Sequence, residues 1–97
     1  MLNSKDIAKN MEQTIEKALA PSDYHFDCWR SRKNGNLGFE GFRYDYSAQD
    51  IEMTAESYAA KYKKTVYYVH VYMRSALEEE SLAVTEEILD SIYLKHI

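Results

Sequence analysis

Few side chains in this 97-residue chain are of types that do chemistry, and their spacing narrows what they can do. His25, Asp27 and Cys28 are metal-ligand types that lie close together. In an extended segment neighbours face opposite ways, so His25 and Asp27 share one face and Cys28 takes the other. No second ligand pair at zinc-type spacing follows, so no metal site is expected. As a nucleophile, Cys28 would need a base and an exposed, electropositive setting. It is expected in the core instead, as inert packing. His70, between Tyr68 and Tyr72, is of the right type for a proton donor or pH sensor; a half-exposed cross-strand residue is the plainer account. Glu78-Glu79-Glu80 suggests paired carboxylates, but acidic residues in a helix's first turn are already accounted for by its dipole. The sequence holds no Gly-rich phosphate loop, nucleophile elbow or paired-histidine helix motif. The expectation is a non-enzyme with no cofactor.

One stretch favours nucleic acid. Trp29, Arg30, Arg32 and Lys33 would combine base stacking with phosphate contacts at a hairpin tip. The duller account is a solvated turn kept polar to blunt a sheet edge. The charge balance opposes the nucleic-acid reading. The net charge is −4, and residues 50–97 hold nine acidic against five basic side chains. Over the last 23 residues Glu78, Glu79, Glu80, Glu86, Glu87 and Asp90 are set against Lys95 alone. Such a surface repels phosphate backbones and attracts basic partners within the roughly 8 Å screening length of physiological salt. Solvated helix faces would carry the same charges.

Composition bounds the class. Hydrophobic residues make up 45% and charged residues 29%, with three glycines and one proline, which suits a folded globular chain rather than a disordered one. The length suits one domain over residues 1–97. The longest apolar run is far short of a membrane span, so no membrane partner is expected. The N-terminus lacks the layout of a signal peptide, and a single cysteine does not imply an oxidising compartment. A cytoplasmic location is therefore expected.

The elements that must position these residues follow from periodicity. Ile7, Met11, Ile15, Ala18 and Leu19 recur at helical spacing, with Ser4 or Asn3 as cap and Ala20-Pro21 as stop. Tyr24, Phe26 and Cys28 alternate into a strand, and Asn34-Gly35 supplies a type I′ hairpin turn. On the return strand Leu37 and Phe39 hold one phase, while Phe42, Tyr44 and Tyr46 hold the other. A regular strand with one buried face forbids that. A β-bulge near Glu40-Gly41 would repair it, placing Phe42, Tyr44 and Tyr46 on the face of Tyr24, Phe26 and Cys28.

Residues 47–63 read as a helix, because Ile51, Ala55, Tyr58, Ala59 and Tyr62 fit helical spacing behind a Ser47–Asp50 capping box. The alternative takes Ile51, Met53 and Ala55 as an alternating strand. In Thr65–Met73 seven of nine residues are β-branched or aromatic, so this is a strand. Its odd face (Tyr67, Val69, Val71, Met73) should meet the core, leaving Tyr68, His70 and Tyr72 outward. Ser75 with Glu78 forms a capping box for a closing helix that ends near His96, with a shorter helix capped by Thr85 after an irregular 79–84 as the alternative.

The expected fold is α+β in the order α-β-β-α-β-α, with helices packed on a three-stranded sheet. A four-stranded antiparallel sheet with terminal helices is the alternative. The expected function is a protein-binding or inhibitor-like module. Its contact residues would be Tyr68, His70, Tyr72, Glu78, Glu79, Glu80, Glu86 and Glu87, since tyrosine offers large, stiff, amphipathic contact area. The partner would be another protein, a basic one suiting the acidic residues, as inhibitors that imitate DNA capture basic proteins; that last step is analogy. A second copy of the chain is the other candidate partner. Nucleic-acid binding through Trp29, Arg30, Arg32 and Lys33 is the alternative function.

Overall fold

Four strands follow one another as an antiparallel meander, each paired with its neighbour in sequence and one helix lying across the sheet. The computed structural model describes residues 3–35, 37–77, 86 and 87. Helix α1 spans Ser4–Leu19, capped by a reciprocal pair in which the Asp6 amide donates to Asn3 Oδ1 at 2.9 Å and the Asn3 amide donates to Asp6 Oδ2 at 3.4 Å. A short 3₁₀ turn, Ala20–Ser22, carries the proline. Strands β1 (His25–Asn34), β2 (Leu37–Ala48), β3 (Ile51–Tyr62) and β4 (Thr65–Arg74) complete the sheet, in spatial order β1-β2-β3-β4. The fold is α+β with a four-stranded antiparallel sheet, the alternative architecture above.

The helix expected over 47–63 is therefore a strand. Every residue from Thr54 to Ala60 is buried, because β3 is a central strand covered on both faces. When both faces need apolar or small residues, almost any period can be found in the sequence. The alanines that suggested a helix are there for their size: Ala55 lies between Tyr44 and Tyr72, and Ala59 faces Tyr68.

The predicted bulge near Glu40-Gly41 is likewise absent. The β1–β2 register runs without interruption from Asn34↔Leu37 to Cys28↔Arg43. Phe39 and Phe42 simply face opposite ways, and both are buried, at 2% and 0% exposure. The two phases that seemed incompatible are two separate cores. On the helix face, Phe42, Tyr44 and Ala55 pack with Met11, Ile15, Leu19, Tyr24 and Tyr46. On the far face, Leu37, Phe39, Tyr58 and Ala60 pack with Tyr62, Val69 and Val71. The register shift lies in β1 instead, between Phe26 and Cys28, with Asp27 as the extra residue. It leaves Phe26 with Phe42 but turns Cys28 away from it, against expectation; the thiol is half-buried.

Three two-residue loops join the strands. Asn34 pairs with Leu37, so the first loop is one residue later than expected, and Gly35 at φ 59 takes the left-handed position. Gln49 and Asp50 both have positive φ, 52 and 64, the type I′ signature without glycine or asparagine. Lys63, at φ 57, opens the third. After β4 comes a 3₁₀ turn, Ser75–Leu77. Glu86 and Glu87 are helical, and the rest of the expected C-terminal helix lies outside the described residues.

Candidate functional site

Strand β4 is an edge of the sheet, and its helix-face side chains lie opposite the smallest residues of β3. The register pairs Tyr72 with Ala55, His70 with Ser57 and Tyr68 with Ala59. Helix α1 rests mainly on β2 and less on β3, leaving open space toward β4. A groove of about 420 Å³ remains, lined by Ile7, Met11 and Ile15 of α1 and by Tyr68 and His70 of β4. Tyr68 and Tyr72 are each 55% exposed. The expected division of β4 is what is found: Val69, Val71 and Met73 turn toward the far-face core, although Tyr67 is 36% exposed at its end.

His70 is held rather than loose. Its ring stacks on Tyr72, with centroids 6.2 Å apart and planes at 20°. Nδ1 lies 2.7 Å from Ser57 Oγ, which lies 3.0 Å from the Tyr44 hydroxyl. Burial pushes the imidazole below its ordinary pKa, so it is neutral at pH 7. Burial also pushes the Tyr44 phenol up to about 12. A histidine against a serine hydroxyl has the parts of an activated nucleophile. Ser57, however, has no exposed surface, and its other side is taken by Tyr44. The chain His70–Ser57–Tyr44 orients side chains; it presents no reachable nucleophile.

The acidic residues expected beside these tyrosines lie elsewhere. Glu86 bonds Arg32 at 3.2 Å and approaches Arg30 at 4.0 Å, which puts it over the far face of β1, at the opposite edge from β4. Glu87 is exposed, and Glu78, Glu79 and Glu80 lie outside the described residues. The alternative nucleic-acid set is divided too. Trp29 and Lys33 belong to the helix face, whereas Arg30 and Arg32 point to the far face and are turned to Glu86. These four residues form no single basic surface.

Sequence reading missed a buried carboxylate. Glu56, at 0% exposure on the far face of β3, accepts a hydrogen bond from the Tyr58 hydroxyl, and Arg43 Nη1 lies 3.9 Å from it. Arg43 Nε also lies 3.4 Å from Asp27 in the bulge. Reading 47–63 as a helix left Glu56 off the apolar stripe. The signal that could have found it is Glu56 two before Tyr58, which share a face only in a strand. Among the described residues no three His, Cys, Asp or Glu side chains converge as a metal site would need, and no helix is long and apolar enough to cross a membrane.

No protein-family model matches this chain, and no curated protein matches it. Among solved structures it is similar to PA94 from Pseudomonas aeruginosa, a protein of unknown function. The TM-score is 0.72 at 6% sequence identity, covering 94% of this chain and 64% of that one. The chain thus spans less than two thirds of that protein, and at this identity the likeness shows the shared fold alone.

Proposed function

We propose that the chain is a non-enzymatic protein-binding module that takes a partner's polypeptide segment along β4 and into the groove beside α1. The observation that supports this is the pair of half-exposed tyrosines on an edge strand. Large exposed aromatics are costly to leave in water and are typical anchors of an interface. An edge strand offers main-chain donors and acceptors to an added strand, while alternate side chains fit neighbouring pockets. The groove lining carries no formal charge at pH 7, since His70 is neutral and the rest is apolar, amide, hydroxyl or phenol. The segment that fits is accordingly uncharged and apolar at its anchors, and Glu86, held by Arg32 at the opposite edge, is not part of this contact.

The test is selection of displayed random peptides against the folded chain, with Tyr68→Asp plus Tyr72→Asp as control. Peptides with apolar anchors that bind the wild type and not the folded double variant support the reading. Selected peptides that bind both equally would end it. Sedimentation at micromolar concentration distinguishes self-pairing: a wild-type dimer that becomes a monomer in the double variant makes a second copy the partner.

A further inference from the structure

A second cleft, of about 340 Å³, lies on the other side of α1, and its lining has a different chemistry. Phe26 and Trp29 stand on the helix face of β1, exposed by 40% and 51%, with ring centroids 5.0 Å apart and planes at 58°. Three residues apart, they would face opposite ways in a regular strand. The extra residue Asp27 is what brings both rings to one side, the re-aiming of a side chain that bulges commonly provide. Tyr24 lies beside them and donates a 2.7 Å hydrogen bond to Glu12 Oε2. Glu16, one turn further along α1, lines the same cleft with His25 at the rim. Burial, then the Glu12 hydrogen bond and the charges of Glu12 and Glu16, hold the Tyr24 phenol above its ordinary pKa, so it remains a neutral donor. Lys5 and Lys9 line a neighbouring hollow with Glu40, toward the N-terminus of α1.

Aromatic faces carry negative potential, and a cation that sits against them gains further from carboxylates a few ångströms away. We propose that the cleft formed by Tyr24, Phe26 and Trp29 under Glu12 and Glu16 binds an organic monocation, a guanidinium or alkylammonium group. The rings offer flat apolar walls, and the two carboxylates supply the charge that selects a cation over a neutral group of the same shape. This site is on β1, at the opposite edge from β4, and stands or falls separately from the groove there.

Trp29 is the chain's single tryptophan and lines both this cleft and the neighbouring hollow, so its fluorescence reports binding at either and the Glu12 and Glu16 variants assign it to the cleft. The probe is methylguanidinium chloride, added at constant ionic strength, with methylurea as the neutral isostere. The expected result is a saturable change in emission with the cation and none with methylurea. Glu12→Gln plus Glu16→Gln should weaken the response by roughly tenfold, as two partly solvated ion pairs would. Phe26→Leu should weaken it several-fold by removing one ring. A blocked Gly-Arg-Gly peptide that binds more tightly than methylguanidinium assigns the cation to a polypeptide; equal binding assigns it to a small free molecule. An equal response to methylurea, an unchanged response in the double glutamine variant, or no saturable response would overturn the proposal. Should a variant fold poorly, the wild-type comparison of cation with isostere still decides.

Discussion

Removing Phe39 or Phe42 tests the two-sided sheet directly. Both rings are nearly or wholly out of water, at 2% and 0% exposure, so truncation to alanine should cost about 3–5 kcal/mol at either site. A sheet with one buried face would lose that much at one position and almost nothing at the other. The decisive quantity is their coupling. The two residues belong to different core clusters on opposite faces, with Cα atoms about 10 Å apart at an ordinary strand rise. Alanine at both would remove much of the roughly 5–15 kcal/mol that holds a domain of this kind, so the cycle is better run with leucine, at on the order of 1–1.5 kcal/mol each. Urea unfolding of Phe39→Leu, Phe42→Leu and the double variant should show additivity within about 0.5 kcal/mol. The contacting pair Phe42 and Tyr44, with centroids 5.2 Å apart, is the positive control and should couple by more than that. A Phe39 variant of near-native stability, or coupling above about 1 kcal/mol between Phe39 and Phe42, would refute the two-core description.

Three further outcomes are expected. Gly41→Ala should destabilise by about 1–3 kcal/mol or more, because a Cβ there would meet the Ser57 carbonyl oxygen at 2.1 Å and Tyr58 Cα at 2.9 Å, backbone atoms that cannot swing aside; an unchanged melting temperature would contradict this. Replacing Gln49-Asp50 by Asn-Gly should stabilise by about 0.5–1.5 kcal/mol, since both positions have positive φ, and thermal unfolding should shift upward by several degrees. His70 carries a pKa below its ordinary 6.5 in the folded chain, so its contribution to stability is complete above that value. It is lost progressively as pH falls from 6.5 through the lower folded-state pKa, because the unfolded chain takes up the proton first. Denaturation of wild type and His70→Gln across pH 5–7 should show a shallower slope in the variant, and parallel slopes would exclude the effect.

The first helix and β4 were legible because each shows one unambiguous period, while the first hairpin was marked by Asn34-Gly35 although its loop lies one residue later. Ile7 to Leu19 repeats at helical spacing on one side only, and Thr65–Met73 is too β-branched and aromatic to be anything but a strand. The third strand was not legible, for two reasons. Its alanines and serine answer to the rings on either side of them rather than to helix propensity, and its two faces are both buried. The loop before it, Gln49-Asp50, also lacks the glycine or asparagine that marks a type I′ turn. Tyr68, His70 and Tyr72 could be named from alternation alone, but the groove beside them depends on where α1 stops, which no local pattern encodes. The same holds for Phe26 and Trp29. Their odd spacing hides a shared face until the bulge at Asp27 is known.

The meander has a consequence for how the chain folds. Among the described residues every strand pairs only with the strand before or after it, through loops of two residues. Closing so short a loop loses little chain entropy, and proteins dominated by such local pairings reach their native state faster than sheets built from distant segments. No pairing in this sheet waits for another, so the ladder can start at any of its three hairpins and zip outward from there. Helix α1, whose contacts reach from Ser4 to Lys61, closes a far longer stretch of chain, so loop-closure entropy favours its docking after the hairpins.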